Sequence, residues 1–193
     1  MMDKVIINIY RDLVMDSNSN ILKVAVNSFI CFASWLSKAG AVLAMLLMAG
    51  MTLHVILEIL LRAFFDSSTF ILDEFVGYGV AAMTFMALGY TFETNTLIRV
   101  NILLTRVRSK LGRQIIEFLC VSTAFSLTSF IFMYFWKSVI RNYERGSTSE
   151  TLAEVPLWIP EAFVLFGLSI FIIQMLAYFL RIVSGQPLLS EQD

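Results

Sequence analysis

Along the chain the apolar residues gather into four runs that contain no Asp, Glu, Lys or Arg: Ala39–Leu57, Phe75–Phe92, Phe118–Trp136 and Ala162–Leu180, each 18 or 19 residues long. A helix needs about 20 residues to cross a hydrocarbon core of roughly 30 Å, and each run reaches that length with one or two flanking residues. A soluble bundle would interrupt such runs with a polar position every third or fourth residue, and these lack that stripe. The pattern predicts an all-α membrane protein with four transmembrane helices, spanning about 39–61, 72–93, 114–136 and 157–181 of a 39–181 domain. A polar N-terminal arm, 1–20, precedes them and a cytoplasmic tail, 182–193, follows.

Residues 21–38 show a different periodicity. Lys23, Asn27, Cys31, Ser34 and Lys38 recur at intervals of four, four, three and four and make one helical stripe, with Ile21, Leu22, Val26, Phe29, Ile30, Phe32 and Leu36 off it. A one-sided helix with Lys on its polar face suits the membrane–water interface. Run straight into the first span, it would make a rod of about 40 residues and roughly 60 Å, too long for one crossing. The expectation is an amphipathic interfacial helix with a bend near Ala39-Gly40, set against an early-starting, tilted first span.

The connections follow from what lies between the runs. The loop from Arg62 to Leu72 is short and makes the first two spans an antiparallel hairpin. The second loop is basic, and Asn101–Leu111 can add helical turns to it. In the third, Gly146-Ser147-Thr148-Ser149 reads as a turn. Pro156 and Pro160 restart the chain there, since proline suits a first helical turn. Trp158 falls at headgroup level, where an aromatic belt sits.

Composition narrows the class. The 193 residues are 58% hydrophobic and 15% charged, with mean hydropathy +0.78, against about half and a quarter in soluble domains. A net charge of −1 gives no basic surface for nucleic acid. Cys31 and Cys120 stand far apart, with no metal-ligand spacing. The first twenty residues hold Asp3, Lys4, Arg11, Asp12 and Asp16 and offer no apolar core for a cleaved signal. Of the Lys and Arg residues, ten fall in the N-terminus, second loop and tail and four in the first and third loops. The positive-inside rule then puts both termini in the cytoplasm.

Candidate chemistry is sparse. Ionisable groups deep in a membrane are costly and mark transport paths, and His54 alone sits well inside a span. His54, Glu58 and Arg62 follow at i, i+4 and i+8 on one face; a Glu58–Arg62 ion pair or a polar docking face suits them better than a proton relay. Asp73 and Glu74 open the second span, where the helix macrodipole favours negative charge. That span is rich in small residues, and Gly77 and Ala81 make a small-xxx-small pair suited to close helix contact, within the unit or against a partner. Carriers are generally built from repeated halves with interrupted helices, which four uncharged spans are not. No nucleophile–base pair or metal cluster points to an enzyme. The residues describe an accessory or scaffold subunit, with a homo-oligomeric channel-like or signalling protein as the alternative.

Three stretches resemble a known family, the small membrane subunit of TRAP transporters (DctQ-like), between about residues 40 and 181. They are Glu58-Ile-Leu-Leu-Arg62 with Leu72-Asp73-Glu74-Phe75, then Leu97-Ile98-Arg99-Val100-Asn101, then Gly146-Ser147-Thr148-Ser149 leading to Val155-Pro156-Leu157-Trp158-Ile159-Pro160. Leu97 and Asn101 depart from the family's His and Asp. The resemblance implies a tripartite, Na⁺-driven importer of an organic acid such as a C4-dicarboxylate, sialic acid or a related acidic sugar, in a bacterial inner membrane. It implies two protein partners, a large transmembrane subunit that carries the substrate and Na⁺ sites and a periplasmic substrate-binding protein. No cofactor is implied in this chain. The residues expected to serve partner binding or structure are Glu58, Arg62, Asp73, Glu74, Gly77, Ala81, Arg99, Ser149, Pro156, Trp158 and Pro160.

The Lys/Arg distribution yields a first test. Reporter fusions after residue 193 and within residues 146–150 are expected to report opposite compartments, with the C-terminus cytoplasmic; the same compartment for both contradicts the four-span topology.

Overall fold

The computed structural model describes residues 2–94 and 110–183. Four helices make up the fold: α1 (Met2–Phe65), α2 (Leu72–Glu93), α3 (Lys110–Arg145) and α4 (Trp158–Val183). Each contains a segment long and apolar enough to cross a membrane: Val24–Phe65, Leu72–Glu93, Phe118–Arg145 and Trp158–Ile182.

Helix ends follow local chemistry. α2 begins with Asp73 and Glu74 in its first turn, where the amide dipoles favour carboxylates. α3 stops at Gly146, which takes φ +59°, a left-handed conformation open to glycine. Gly146 N–H then donates to Tyr143 O (3.2 Å) and Ser147 N–H to Asn142 O (3.1 Å), the paired bonds of a Schellman cap. α4 carries Pro160 in its first turn, where the missing N–H has no intrahelical acceptor.

α4 is the axial helix. It packs against each of the other three, while α1 also packs along α2. Over its most apolar stretch 56% of α4 is buried, against 11% for α1 and for α3. One aromatic cluster, Phe92, Val121, Phe171, Met175 and Tyr178, ties α2, α3 and α4 together. Phe92 meets the rings of Phe171 and Tyr178 edge-on, at 5.6 and 5.5 Å, the arrangement ring quadrupoles favour.

A close backbone approach lies midway along α2, around the fully buried Met86. A Cβ on Gly167 of α4 would stand 2.5 Å from the Phe85 carbonyl carbon and 2.7 Å from Met86 N. A Cβ on Gly40 of α1 would stand 2.9 Å from Met86 O. One turn on, a Cβ on Gly89 would meet Ile170 of α4 at 3.0 Å and Ser37 of α1 at 3.2 Å. Three helices therefore cross where two glycines let backbone reach backbone.

This revises the expected bend. α1 runs as one helix through Ala39 and Gly40, and Gly40 is occupied by a close crossing. No separate interfacial helix stands out over 21–38. Within the described part of its polar stripe, Asn27, Cys31 and Ser34 line a cavity against α2 and α4, while Val24, Phe32 and Trp35 are more than half exposed. Asn27, Cys31 and Lys38 are themselves exposed, and the buried face of this part of α1 runs through Ala33, Ser37 and Gly40. The polar arm is helical from Met2 onward.

Small residues on α2 divide by face. Gly79 sits against Met51 of α1, whereas a Cβ on Gly77 would meet nothing within 4 Å. Gly77→Ala is therefore expected to leave the unfolding midpoint in detergent unchanged or slightly raised. Gly167→Ala, which must push backbone away from backbone, is expected to cost about 1–3 kcal/mol, the usual cost of overpacking. Equal effects of the two substitutions on thermal unfolding would contradict the crossing.

Candidate functional site

Among the described residues, a cluster of hydrogen-bonded polar side chains lies at the bundle end that carries the first and third loops. Glu58, in the next-to-last turn of α1, is 1% exposed although it sits in an apolar helix. Its carboxylate is surrounded by donors from the loop that follows. Thr69 gives its N–H (3.1 Å) and hydroxyl (2.6 Å) to Oε2, and Ser68 gives its hydroxyl to Oε1. Arg62 Nε donates to the same Oε1 at 2.9 Å and Nη2 to Ser68 Oγ at 3.2 Å. The loop can bend back this sharply because Asp66 and Phe70 take φ of 45° and 59°. A carboxylate with this many donors is how a buried charge becomes tolerable. The Glu58–Arg62 ion pair exists, but most of the carboxylate's bonds hold the loop.

The third loop is tied down by a second carboxylate. Thr148 and Pro156 form an antiparallel bridge, with Ser149 N–H on Val155 O (2.9 Å) and Leu157 N–H on Ser147 O (3.0 Å). Ser149 Oγ accepts from Val155 N–H at 3.2 Å and lies 2.9 Å from Thr151 Oγ1. Thr151 in turn donates to Glu74, 77 residues earlier, and Tyr78 OH donates to the other oxygen of Glu74 at 2.8 Å. The loop thus closes over the start of α2. Asp73, Glu74, Gly77, Tyr78 and residues 148–151 line an open hollow of about 650 Å³ there.

A third carboxylate joins α3 to α4. Glu161 Oε1 accepts from Ser138 Oγ and Asn142 Nδ2, both at 2.9 Å. Trp158 meets Tyr143 edge-on, ring centroids 5.6 Å apart. Each helix–loop junction at this end is therefore closed by a glutamate.

With that geometry in view, a match to known families decides the identity. The model of the tripartite ATP-independent periplasmic transporters, DctQ component, fits residues 51–185, more than half of the chain. This chain belongs to the DctQ family. It is a small membrane subunit of a TRAP transporter, a family that works with a DctM subunit and a binding protein. Neither the curated proteins nor the solved structures hold a match to it.

In this DctQ chain the residues singled out from sequence divide into groups. Glu58 and Arg62 form the first-loop cluster. Glu74, Ser149 and Pro156 belong to the third-loop cluster, with exposed Asp73 on its rim. Pro160 is buried and, with His54, lines an apolar cavity of about 520 Å³ between α1, α2 and α4. His54 lies 6.3 Å from the Phe75 ring, and its Nε2 is buried without a hydrogen bond. Gly77 opens into the hollow beside Glu74, and Ala81 is half-buried. Arg99 lies outside the described residues.

Sequence reasoning missed Glu161, Ser68, Thr69 and Thr151. Glu161 had a usable signal, since it directly follows Pro160 while Ser138 and Asn142 share a helical stripe on α3. Ser68, Thr69 and Thr151 carried none, because their partner is fixed only by loop shape.

Glu58→Ala is expected to release the first loop while the helices stay formed. Maleimide labelling at Ser67→Cys would rise severalfold relative to the same cysteine beside Glu58; an unchanged rate would contradict the anchoring role.

Proposed function

We propose that this subunit acts as the brace of a Na⁺-driven importer of an organic acid. It holds the large transport subunit in the bacterial inner membrane and contributes to the surface on which a periplasmic binding protein lands. On this reading both termini are cytoplasmic, and the end built from the first and third loops is periplasmic. The observation that carries it is the distribution of polar groups. Glu58, Glu74 and Glu161 are all engaged in holding loops and helix ends, and among the described residues no series of charged side chains runs through the middle of the spans. Substrate and Na⁺ sites then belong to the large subunit. The part of α1 within 21–38 that exceeds the hydrocarbon lies at the cytoplasmic headgroup level.

The exposed apolar faces supply a surface for that partner. Leu127, Phe130, Met133 and Tyr134 on α3, and Met45, Leu46 and Leu53 on α1, are each more than half exposed. Helix association in lipid rests on close packing and interhelical hydrogen bonds, so one such face can serve the large subunit and the other the bilayer.

The test is assembly. Affinity purification of the full chain from its own membranes is expected to bring a large multi-span subunit in stoichiometric amount; a symmetric ring of this chain alone would overturn the proposal. Charge reversal at Arg62 or Glu74 is expected to lower complex yield or uptake, leaving the isolated binding protein's affinity for solute as it was. Membrane hydrogen bonds contribute about 0.6–2 kcal/mol each, so a single reversal weakens the complex without abolishing it. A changed choice of solute with intact assembly would place this chain in the transport path instead.

A further inference from the structure

The opposite end of the bundle holds a polar cavity that the bracing role does not use. It measures about 320 Å³ and lies between α1, α2 and α4, lined by Asn27, Ser34, Glu93, Gln174, Tyr178 and Arg181 among others. This volume is far more than one water molecule needs. Ser34 Oγ donates to Glu93 Oε1. Three further polar atoms are buried without a hydrogen bond: Glu93 Oε2, Gln174 Oε1 and Arg181 Nε. Gln174 itself is only 7% exposed. Buried polar atoms are nearly always paired, because leaving them bare costs a desolvation penalty with no return.

The unused valences have a definite pattern. Glu93 and Gln174 present acceptors and call for N–H or O–H donors, ideally on a cation beside the carboxylate. Arg181 presents a donor and calls for an anion, for which a guanidinium–phosphate bond is a strong match. An occupant must therefore carry a cationic donor and an anionic acceptor a few atoms apart. The cavity opens beside exposed Asn27 and Cys31, on a helix whose neighbouring Val24, Phe32 and Trp35 are exposed and apolar. Hydrocarbon chains can lie there while a headgroup turns inward.

We infer that this cavity binds the headgroup of an aminophospholipid, with the phosphoethanolamine ammonium on Glu93 and Gln174 and its phosphate on Arg181. A choline headgroup keeps the charges and the phosphate but has no N–H, so it leaves both acceptors bare. Selectivity for ethanolamine over choline is the signature that separates this site from ordinary boundary lipid.

Native mass spectrometry of the full-length protein, released from nanodiscs of equal parts phosphatidylethanolamine and phosphatidylcholine, gives the readout. The ethanolamine lipid is expected to be retained over choline by about tenfold, the scale of a charge-assisted hydrogen bond. Monomethyl and dimethyl headgroups should fall between in order, a series that needs no variant to fold. Glu93→Gln is expected to erase the preference, and Arg181→Gln to reduce retention of every phospholipid. Equal retention along the methylation series would overturn the proposal. So would displacement of the lipid by soluble phosphoethanolamine or by inorganic phosphate, which would assign the cavity to a free phosphate compound.

Discussion

The contact on which the structure depends is the crossing of α1 and α4 over the backbone of α2 at Phe85 and Met86. Lipid tails are as apolar as leucine, so there is little hydrophobic force to gather helices within a bilayer. Van der Waals contact has to do that work, and it falls away within an ångström of separation. Gly167 and Gly40 remove the side chains that would hold α4 and α1 off that backbone, and the buried Ile170 packs beside Gly40 and Gly89. The crossing sets the distance between three helices at mid-height, and the Phe92–Phe171–Tyr178 cluster fixes α3 and the other end of α2 relative to it.

Once the helices are fixed, their ends have few options. α1, α2, α3 and α4 meet at one end of the bundle, and glutamates close the junctions there: Glu58 the first loop, Glu74 the third, Glu161 the α3–α4 contact. Glu58 and Glu74 have both oxygens bonded by hydroxyl, amide or guanidinium donors, whereas Glu161 has donors on Oε1 and a buried, unpaired Oε2. A TRAP small subunit built this way has a shaped polar end on an apolar frame. At the other end Glu93, Gln174 and Arg181 keep buried polar atoms unpaired, and there an external headgroup is the natural complement.

What was legible in the sequence was whatever depends on local composition. Uninterrupted apolar runs gave the four spans, because exclusion of charge from hydrocarbon acts on each segment by itself. Gly146 was readable as a turn because its conformation is a local demand. Gly40 was misjudged for the opposite reason. A glycine beside a break in polarity suggests a bend, but its use here is set by Met86, 46 residues away. The stripe Asn27, Cys31 and Ser34 was visible as a stripe; that it borders a cavity shared with Glu93 and Gln174 depends on how α2 and α4 pack. Likewise Glu74 read as a helix-start charge, and its bond to Thr151 depends on how the third loop folds back.

The glycine crossing places the loops. Cysteines at Asp73 and Glu150, which bound the same hollow, report that placement through a short bis-maleimide cross-linker, with Cys31 and Cys120 changed to serine. In the native frame, and with Gly50→Val, whose position faces open space, efficient cross-linking is expected. Gly167→Val should cut the yield sharply while helix content by circular dichroism persists. Undiminished cross-linking in a folded Gly167→Val protein would show that the loops take their places without the crossing.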